Sequence, residues 1–184
     1  MSFLNSTPNS CHQYRLDFDN FDVDVKTTPD ADDGTCIDSF DVTTGSSRNY
    51  RTLCGTGNGQ HIYLETGRAT TSQTLTFTIA SASTGSTWKA KVSQIGCYEA
   101  WRAPSDCYQY FTGLSGRVQS FNYGSEMVRN QQYAACVRKE TGYCGINWKA
   151  TQGLPSTPTT DSFDLGGTGA LSVSLKLIFK YNFT

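Results

Sequence analysis

The sequence has few of the residues on which catalytic and metal sites depend. Only two histidines occur, His12 and His61, and they lie far apart in the chain. No GxSxG, HExxH or CxxC motif is present, so hydrolase motifs and zinc sites have no support. We therefore expect no catalytic residue and no enzymatic activity. His61 fits best as an ordinary strand residue.

Long hydrophobic runs are also missing. No run approaches the roughly eighteen apolar residues of a membrane-spanning helix, and the first ten residues lack both the basic start and the apolar stretch of a signal peptide. We expect the numbering to begin inside a processed secretory protein, or Met1 to have been added. No window shows an apolar period of 3.6, so little helix is expected. Basic residues are too few and scattered for nucleic acid.

What the chain does contain is typical of strands and tight turns. Only 17% of residues are charged, whereas Thr, Ser, Gly and aromatic residues are abundant. Short period-two patterns with polar breaks predict an all-β, antiparallel β-sandwich. These patterns cover residues 15–25, 37–42, 61–65, 75–79, 88–92, 117–123, 133–138 and 146–150. A change of phase at Asp19-Asn20 predicts a β-bulge. The glycine-rich residues 55–59 are predicted to form a turn rather than a phosphate loop.

The last strand pattern is the longest. Its apolar residues alternate without a break: Leu171, Val173, Leu175, Leu177, Phe179, Tyr181 and Phe183. Two interpretations stay open. The segment is a central strand of its own sandwich, or an assembly strand that pairs with another subunit. Residues 151–160 before it have the composition of a loop or linker.

Seven cysteines indicate an oxidising compartment. In a chain of this composition they favour disulfides over metal binding. Two N-glycosylation sequons, at Asn5 and Asn182, fit the same compartment. We therefore expect a secreted, extracellular glycoprotein.

Charge is distributed unevenly along the chain. Residues 1–100 carry 7 basic and 11 acidic side chains, whereas residues 101–184 carry 8 basic and 5 acidic ones. Nine of the acids are aspartates between Asp17 and Asp41. This acidic stretch is a solvated face, a cation site, or a surface that meets the basic part of another copy.

Two cysteine-containing segments carry a family resemblance. In one, Cys107 is followed by a glycine-containing turn at 113–116, by Ser120-Phe121 and by Cys136. In the other, Cys36-Ile-Asp-Ser-Phe is followed by Leu-Cys54-Gly. Together they resemble the CUB domain, in the tandem form of secreted arthropod proteins. Residues 11–97 resemble a CUB domain without its opening strands, and residues 107–150 resemble the opening half of another.

The resemblance implies a jelly-roll sandwich in two disulfide-braced modules. The first comprises residues 1–97, a connector covers residues 98–106, and the second comprises residues 107–184. It also implies three disulfides: Cys36–Cys54 and Cys107–Cys136 as the family pairs, and Cys97–Cys144 as an extra bridge. Cys11 is then unpaired or bonded to another chain.

Many CUB domains bind calcium through acidic side chains. Asp24 falls near the first position and Asp38 matches the second, but the third falls near residues 80–83, which have no carboxylate. Because calcium requires six to eight oxygen ligands, this is a weak calcium site at most. The aromatic side chains of Trp88, Trp101 and Trp148 could stack on a glycan, but core packing is the default expectation.

The sequence therefore predicts a non-catalytic extracellular structural or interaction protein. Its partners are expected to be protein chains, with self-association through edge strands into an oligomer or fibre. The alternative is a secreted glycan- or protein-binding module with a calcium-stiffened acidic loop. Neither hypothesis includes nucleic acid or a membrane as partner.

Overall fold

The computed structural model describes residues 2–3, 12–26, 34–66, 72–125 and 127–148. These residues form strands and turns without a helix. The strands are β1 Ser2–Phe3, β2 His12–Val23, β3 Ser39–Thr43, β4 Gly55–Thr56, β5 His61–Glu65, β6 Gln73–Thr78, β7 Thr87–Gly96, β8 Cys107–Phe111 and β9 Ala134–Val137. The predicted all-β fold is confirmed.

The strands lie in two antiparallel sheets and one small parallel pair. One sheet has the order β1-β6-β3. In the other, β2 pairs with β4 and β5 along one edge and with β7 along the opposite edge. Side chains from both sheets meet in one core, as in a β-sandwich. The pair β8–β9 runs parallel, which differs from the antiparallel pairing predicted throughout.

The long strand β2 shows how the sequence pattern sets the core. Leu16 and Phe18 are buried, and so are Phe21 and Val23 one phase later. The register with β7 shifts between Phe18 and Asn20, which confirms the predicted bulge. Because side chains alternate between faces, one extra residue is needed to return the apolar side chains to the core.

The core contains side chains from both sides of residues 98–106. We call residues 12–97 the first half and residues 107–148 the second half. Phe18, Phe21 and Phe40 of the first half lie in the same cluster as Tyr108 and Phe121 of the second. The rings of Phe18 and Phe121 pack edge to face at 6.2 Å. A smaller cluster also joins the halves, since Ile95 packs with Tyr110.

Two predicted strands of the second half are wrong. Residues 117–120 are coil and residues 121–123 form a turn, in which Asn122 adopts a left-handed backbone conformation (φ 59°) that is rare in strands. This turn places Phe121 in the core. Residues 146–148 are coil with exposed side chains, and residues 149–150 lie outside the described part.

Two core tyrosines differ in their hydrogen bonding. The Tyr50 hydroxyl accepts a bond from the Glu65 amide at 2.7 Å, and burial raises the pKa of Tyr50 to about 12. The Tyr108 hydroxyl is buried without a partner among the described residues, and burial raises its pKa well above the usual value. Removal of the two hydroxyl groups should therefore change the free energy of unfolding in opposite directions.

Tyr108→Phe is expected to raise the free energy of unfolding by about 1 kcal/mol, because it deletes an unsatisfied buried hydroxyl. Tyr50→Phe is expected to lower it by about 1 kcal/mol, because the Glu65 amide loses its acceptor. Urea unfolding followed by circular dichroism measures both. Equal losses in the two variants would contradict the assignment of the unpaired hydroxyl.

Candidate functional site

The junction between the two halves is held by Asn122. Its side-chain oxygen accepts a bond from the Thr56 backbone amide at 3.1 Å, and its backbone amide donates to the Thr56 carbonyl at 2.7 Å. Asn122 of the second half thereby binds both backbone polar groups of Thr56 in strand β4. The pattern in the sequence had no signal for this role, because Asn122 lay inside a predicted strand.

Gly55 makes this close approach possible. Its backbone has a φ of 76°, and a Cβ at this position would lie 2.4 Å from the Asn122 side chain. Both the conformation and the space therefore require glycine. The predicted turn at residues 55–59 is confirmed only at residues 58–59, because Gly55 and Thr56 form strand β4. Glycine at position 55 leaves the space that the Asn122 side chain occupies.

Further hydrogen bonds cross the same junction. Gln60 Nε2 donates to Ser120 O at 3.0 Å, and Gln131 Nε2 donates to Thr52 O at 2.7 Å. His61 Nε2 of β5 lies 2.9 Å from Tyr110 O of β8. The two halves therefore join through polar side chains placed around a shared apolar core.

The connector between the halves is held against the first sheet. Gln13 is buried and exchanges two bonds with Ala103, donating to its carbonyl at 3.1 Å and accepting from its amide at 2.9 Å. Arg102 forms a salt bridge of 2.6 Å with Glu65. At the end of the connector, Asp106 has a φ of 77°, which is unusual for a residue other than glycine.

At the predicted acidic site, the carboxylates of Asp24 and Asp38 accept hydrogen bonds from a neighbouring loop. Asp38 is buried, and its carboxylate accepts bonds from the Ala80 amide at 2.8 Å, from Ser83 Oγ at 2.6 Å and from Ser86 Oγ. Asp24 accepts a bond from the Thr84 amide at 2.7 Å. The two aspartates thus hold the loop that joins β6 to β7.

The hydrogen bonds control the ionisation of Asp38. Burial opposes the charged form, but the donors Ser83, Ser86 and Ala80 outweigh burial and keep the pKa of Asp38 below its usual value. The predicted third acidic position, residues 80–83, is the loop that donates these bonds. In the described part of the chain, no three acidic, histidine or cysteine side chains cluster as metal ligands do. Calcium at Asp24 and Asp38 stays a prediction.

Asp38→Asn is expected to lower the melting temperature by several degrees with or without calcium, because an amide cannot accept from all three donors. A depressed pKa contributes stability above the unfolded-state value, and this contribution is lost as pH falls through the folded value. The melting temperature of the variant should thus depend less on pH below about 4. Asp22→Asn, at an exposed position, is the matched control. A wild-type melting temperature that rises strongly in millimolar calcium would instead favour a cation site.

Two of the three predicted disulfides are present. Cys36 bonds to Cys54 and Cys107 bonds to Cys136. The predicted Cys97–Cys144 bridge is wrong: Cys97 belongs to a disulfide, but Cys144 is a free, exposed thiol. The segment from 141 to 148 lies on the surface, where Cys144 does not meet the end of β7.

The three tryptophans do not pack in the core, so the prediction of core packing is wrong for them. Trp88, Trp101 and Trp148 are 43%, 42% and 43% exposed. Trp88 stacks on Phe77 at 4.0 Å between ring centroids. Glycan stacking on these rings stays a prediction. His61 is buried in strand β5, as expected.

Several predicted sites lie outside the described residues. These are Cys11, the sequons at Asn5 and Asn182, and the assembly strand of residues 171–183. Within the described part, no helix is long and apolar enough to cross a bilayer.

Comparisons with known proteins agree with part of this picture. Neither the curated proteins nor the solved structures include a match to the chain. The family model of the animal CUB domain matches residues 104–176, which is less than half of the chain. The match supports a CUB-like domain. The tandem arrangement and the resemblance of residues 11–97 stay predictions. Residues 104–176 are thus similar to an animal CUB domain, a mostly extracellular module that generally binds proteins and has no catalytic activity.

Proposed function

We propose that the chain is a non-catalytic extracellular interaction protein that self-associates by exchanging its second half between copies. The observation that carries this proposal is the shared core. Phe121 of the second half packs against Phe18 and Phe21 at 6.2 and 6.0 Å. A first half alone would expose these rings to water, so it needs a second half from its own chain or from a neighbour.

The covalent structure supports exchange. No disulfide joins a described cysteine of the first half to one of the second, because Cys107 and Cys136 bond to each other and Cys144 is free. The halves can therefore separate without breaking a bond between them. The left-handed conformation at Asp106 costs about 1 kcal/mol at the hinge in the closed chain, and strained short hinges favour domain exchange. The opposite charge balance of residues 1–100 and 101–184 favours head-to-tail contact.

Strand addition is the second candidate for assembly. Among the described residues, the ten-residue strand β7 pairs only with β2, so one of its edges is open. An exposed edge of this length accepts an additional strand. The predicted strand of residues 171–183 from another copy is the proposed occupant. Deletion of residues 171–184 should abolish association by this route and leave exchange intact.

Complementation between two inactive variants tests exchange. Phe18→Asp damages the first half and Phe121→Asp damages the second, so neither variant alone should fold. After refolding together, the intact first half of one copy can pair with the intact second half of the other. We expect the mixture to recover β-sheet circular dichroism at the mass of a dimer, measured by light scattering after size-exclusion chromatography.

The matched control is a mixture of Phe18→Asp with Phe40→Asp, because both carry damage in the first half. This pair should stay unfolded. All variants carry Cys144→Ser, so that no intermolecular disulfide contributes. A Phe18→Asp and Phe121→Asp mixture that stays unfolded, with a wild-type chain that is monomeric at every concentration, would contradict exchange.

A further inference from the structure

The sequence contains one asparagine–glycine pair, Asn58-Gly59, and it forms the turn between β4 and β5. Both residues are exposed, and a Cβ placed on Gly59 would meet no atom within 4 Å. Asparagine–glycine pairs deamidate readily, because glycine has no side chain to hinder attack of its backbone nitrogen on the asparagine side chain. Water and base can therefore reach this pair from solution.

Two hydrogen bonds restrain the pair in the folded chain. The side-chain oxygen of Asn58 accepts a bond from the Phe21 backbone amide at 2.6 Å, and the Gly59 backbone amide donates to the Phe18 carbonyl at 2.8 Å. Phe18 and Phe21 lie on either side of the bulge in β2, where the register with β7 shifts between Phe18 and Asn20. The bulge thus holds both groups that react in deamidation, the side-chain amide and the backbone nitrogen.

The second half covers the same turn. A Cβ added at Gly57 would lie 2.9 Å from the ring of Phe121, so this ring packs directly against the backbone at position 57. On the other side of the pair, Gln60 Nε2 donates to the Ser120 carbonyl at 3.0 Å. Departure of the second half would remove both contacts and make opening of the turn easier.

We propose that Asn58 is a deamidation site that contact with the second half keeps closed. In the reaction, the Gly59 backbone nitrogen loses its proton to a base in solution and bonds to Asn58 Cγ. The bond from Cγ to the side-chain nitrogen breaks, and this nitrogen takes up a proton and leaves as ammonia. Water then opens the resulting succinimide at either carbonyl, which gives aspartate or isoaspartate. The attack moves the nitrogen away from the Phe18 carbonyl and turns the side chain away from the Phe21 amide, so only an opened turn reacts.

The two products differ in their effect on the fold. Aspartate has a carboxylate oxygen in place of the amide oxygen, so it can again accept the bond from the Phe21 amide. Isoaspartate adds one CH₂ group to the main chain before Gly59, which displaces the Gly59 amide from the Phe18 carbonyl. A chain with isoaspartate cannot restore both bonds, so the modification records opening irreversibly. The site is separate from the exchange of halves, because any opening of the turn exposes it with or without a second copy.

Ageing of the full-length chain in mildly alkaline buffer tests the proposal. One sample stays folded and the other is unfolded in urea. Mass spectrometry after digestion measures conversion of Asn58 to the acid, and separate elution of the two products distinguishes isoaspartate from aspartate. We expect conversion at least about tenfold slower in the folded chain, because the rate follows the population of the opened state. Asn49 is the internal control: it is exposed but followed by Tyr50, so it should stay unmodified in both samples.

Phe121→Ala should speed conversion of Asn58 at least about threefold without urea, because the ring no longer covers Gly57. Phe121→Leu keeps an apolar side chain and should give an intermediate rate; it replaces the alanine variant if circular dichroism shows that variant to be unfolded. Leu114→Ala, at an exposed position of the same half, should leave the rate unchanged. The reaction is intramolecular, so its rate is interpreted independently of the oligomeric state, which light scattering measures on the same samples. Equal conversion in folded and unfolded wild type, or a wild-type rate in the folded Phe121 variants, overturns the proposal.

Discussion

Replacing Phe121 by alanine is expected to destabilise both halves together, by about 3–5 kcal/mol. Phe121 is 2% exposed and contacts the rings of Phe18, Phe21 and Tyr108. Its removal opens a cavity in a core that both halves share. Because small domains are stable by about 5–15 kcal/mol, this loss is a large part of the total.

The measurement must report on each half separately. Urea unfolding gives the total change, and hydrogen exchange of β2 and β8 amides shows which half opens. Leu114→Ala is the matched control, because Leu114 lies in the same half and is 68% exposed; it should change stability by less than about 0.5 kcal/mol. If β8 lost protection while β2 kept it, the halves would be separate folding units.

The first half could be predicted well from its sequence. The pattern of residues 15–25 gave strand β2 with its bulge, and residues 61–65 coincide with strand β5. These elements are specified locally, since alternating apolar residues with one change of phase allow only one way of facing the core. The other strands that pair within this half also follow predicted patterns, except β4, which lies in the predicted turn at residues 55–59.

The second half could not be predicted in the same way, because its conformation depends on the first. The backbone at Asn122 is bent so that its side chain reaches Thr56, which is 66 residues away in the chain. A local pattern contains no information about such a partner. The buried hydrogen bond from Gln109 to Gln60 has the same origin, because it forms only when the halves meet.

The disulfides show the same limit. The two family pairs close within one half each, at sequence separations of 18 and 29. The predicted bridge between Cys97 and Cys144, which is wrong, would join the two halves, and no local strand pattern determines the distance between these cysteines. Connectivity among several cysteines has many solutions, and the spatial arrangement selects among them.

Removal of the second disulfide is the other change with a large expected effect. Cys107→Ala with Cys136→Ala should lower the free energy of unfolding by about 3–4 kcal/mol, because the bond closes a loop with a separation of 29 residues in the unfolded chain. Both cysteines are buried in the cluster that contains Tyr110 and Ile95. The loss should therefore extend to β7 of the first half, which urea unfolding and hydrogen exchange of the Ile95 amide would record.

Cys144→Ser provides the control for this prediction, because the free thiol is exposed and belongs to no described disulfide. Its free energy of unfolding should stay within about 0.5 kcal/mol of the wild type. A large loss in Cys144→Ser would mean that this thiol is bonded in the folded protein. Unchanged stability in the Cys107 and Cys136 double variant would mean that this disulfide does not stabilise the shared core. If the double variant is destabilised and Cys144→Ser is not, the Cys107–Cys136 disulfide stabilises the first half as well as the second. A second half exchanged between copies would then stabilise the first half of the neighbouring chain.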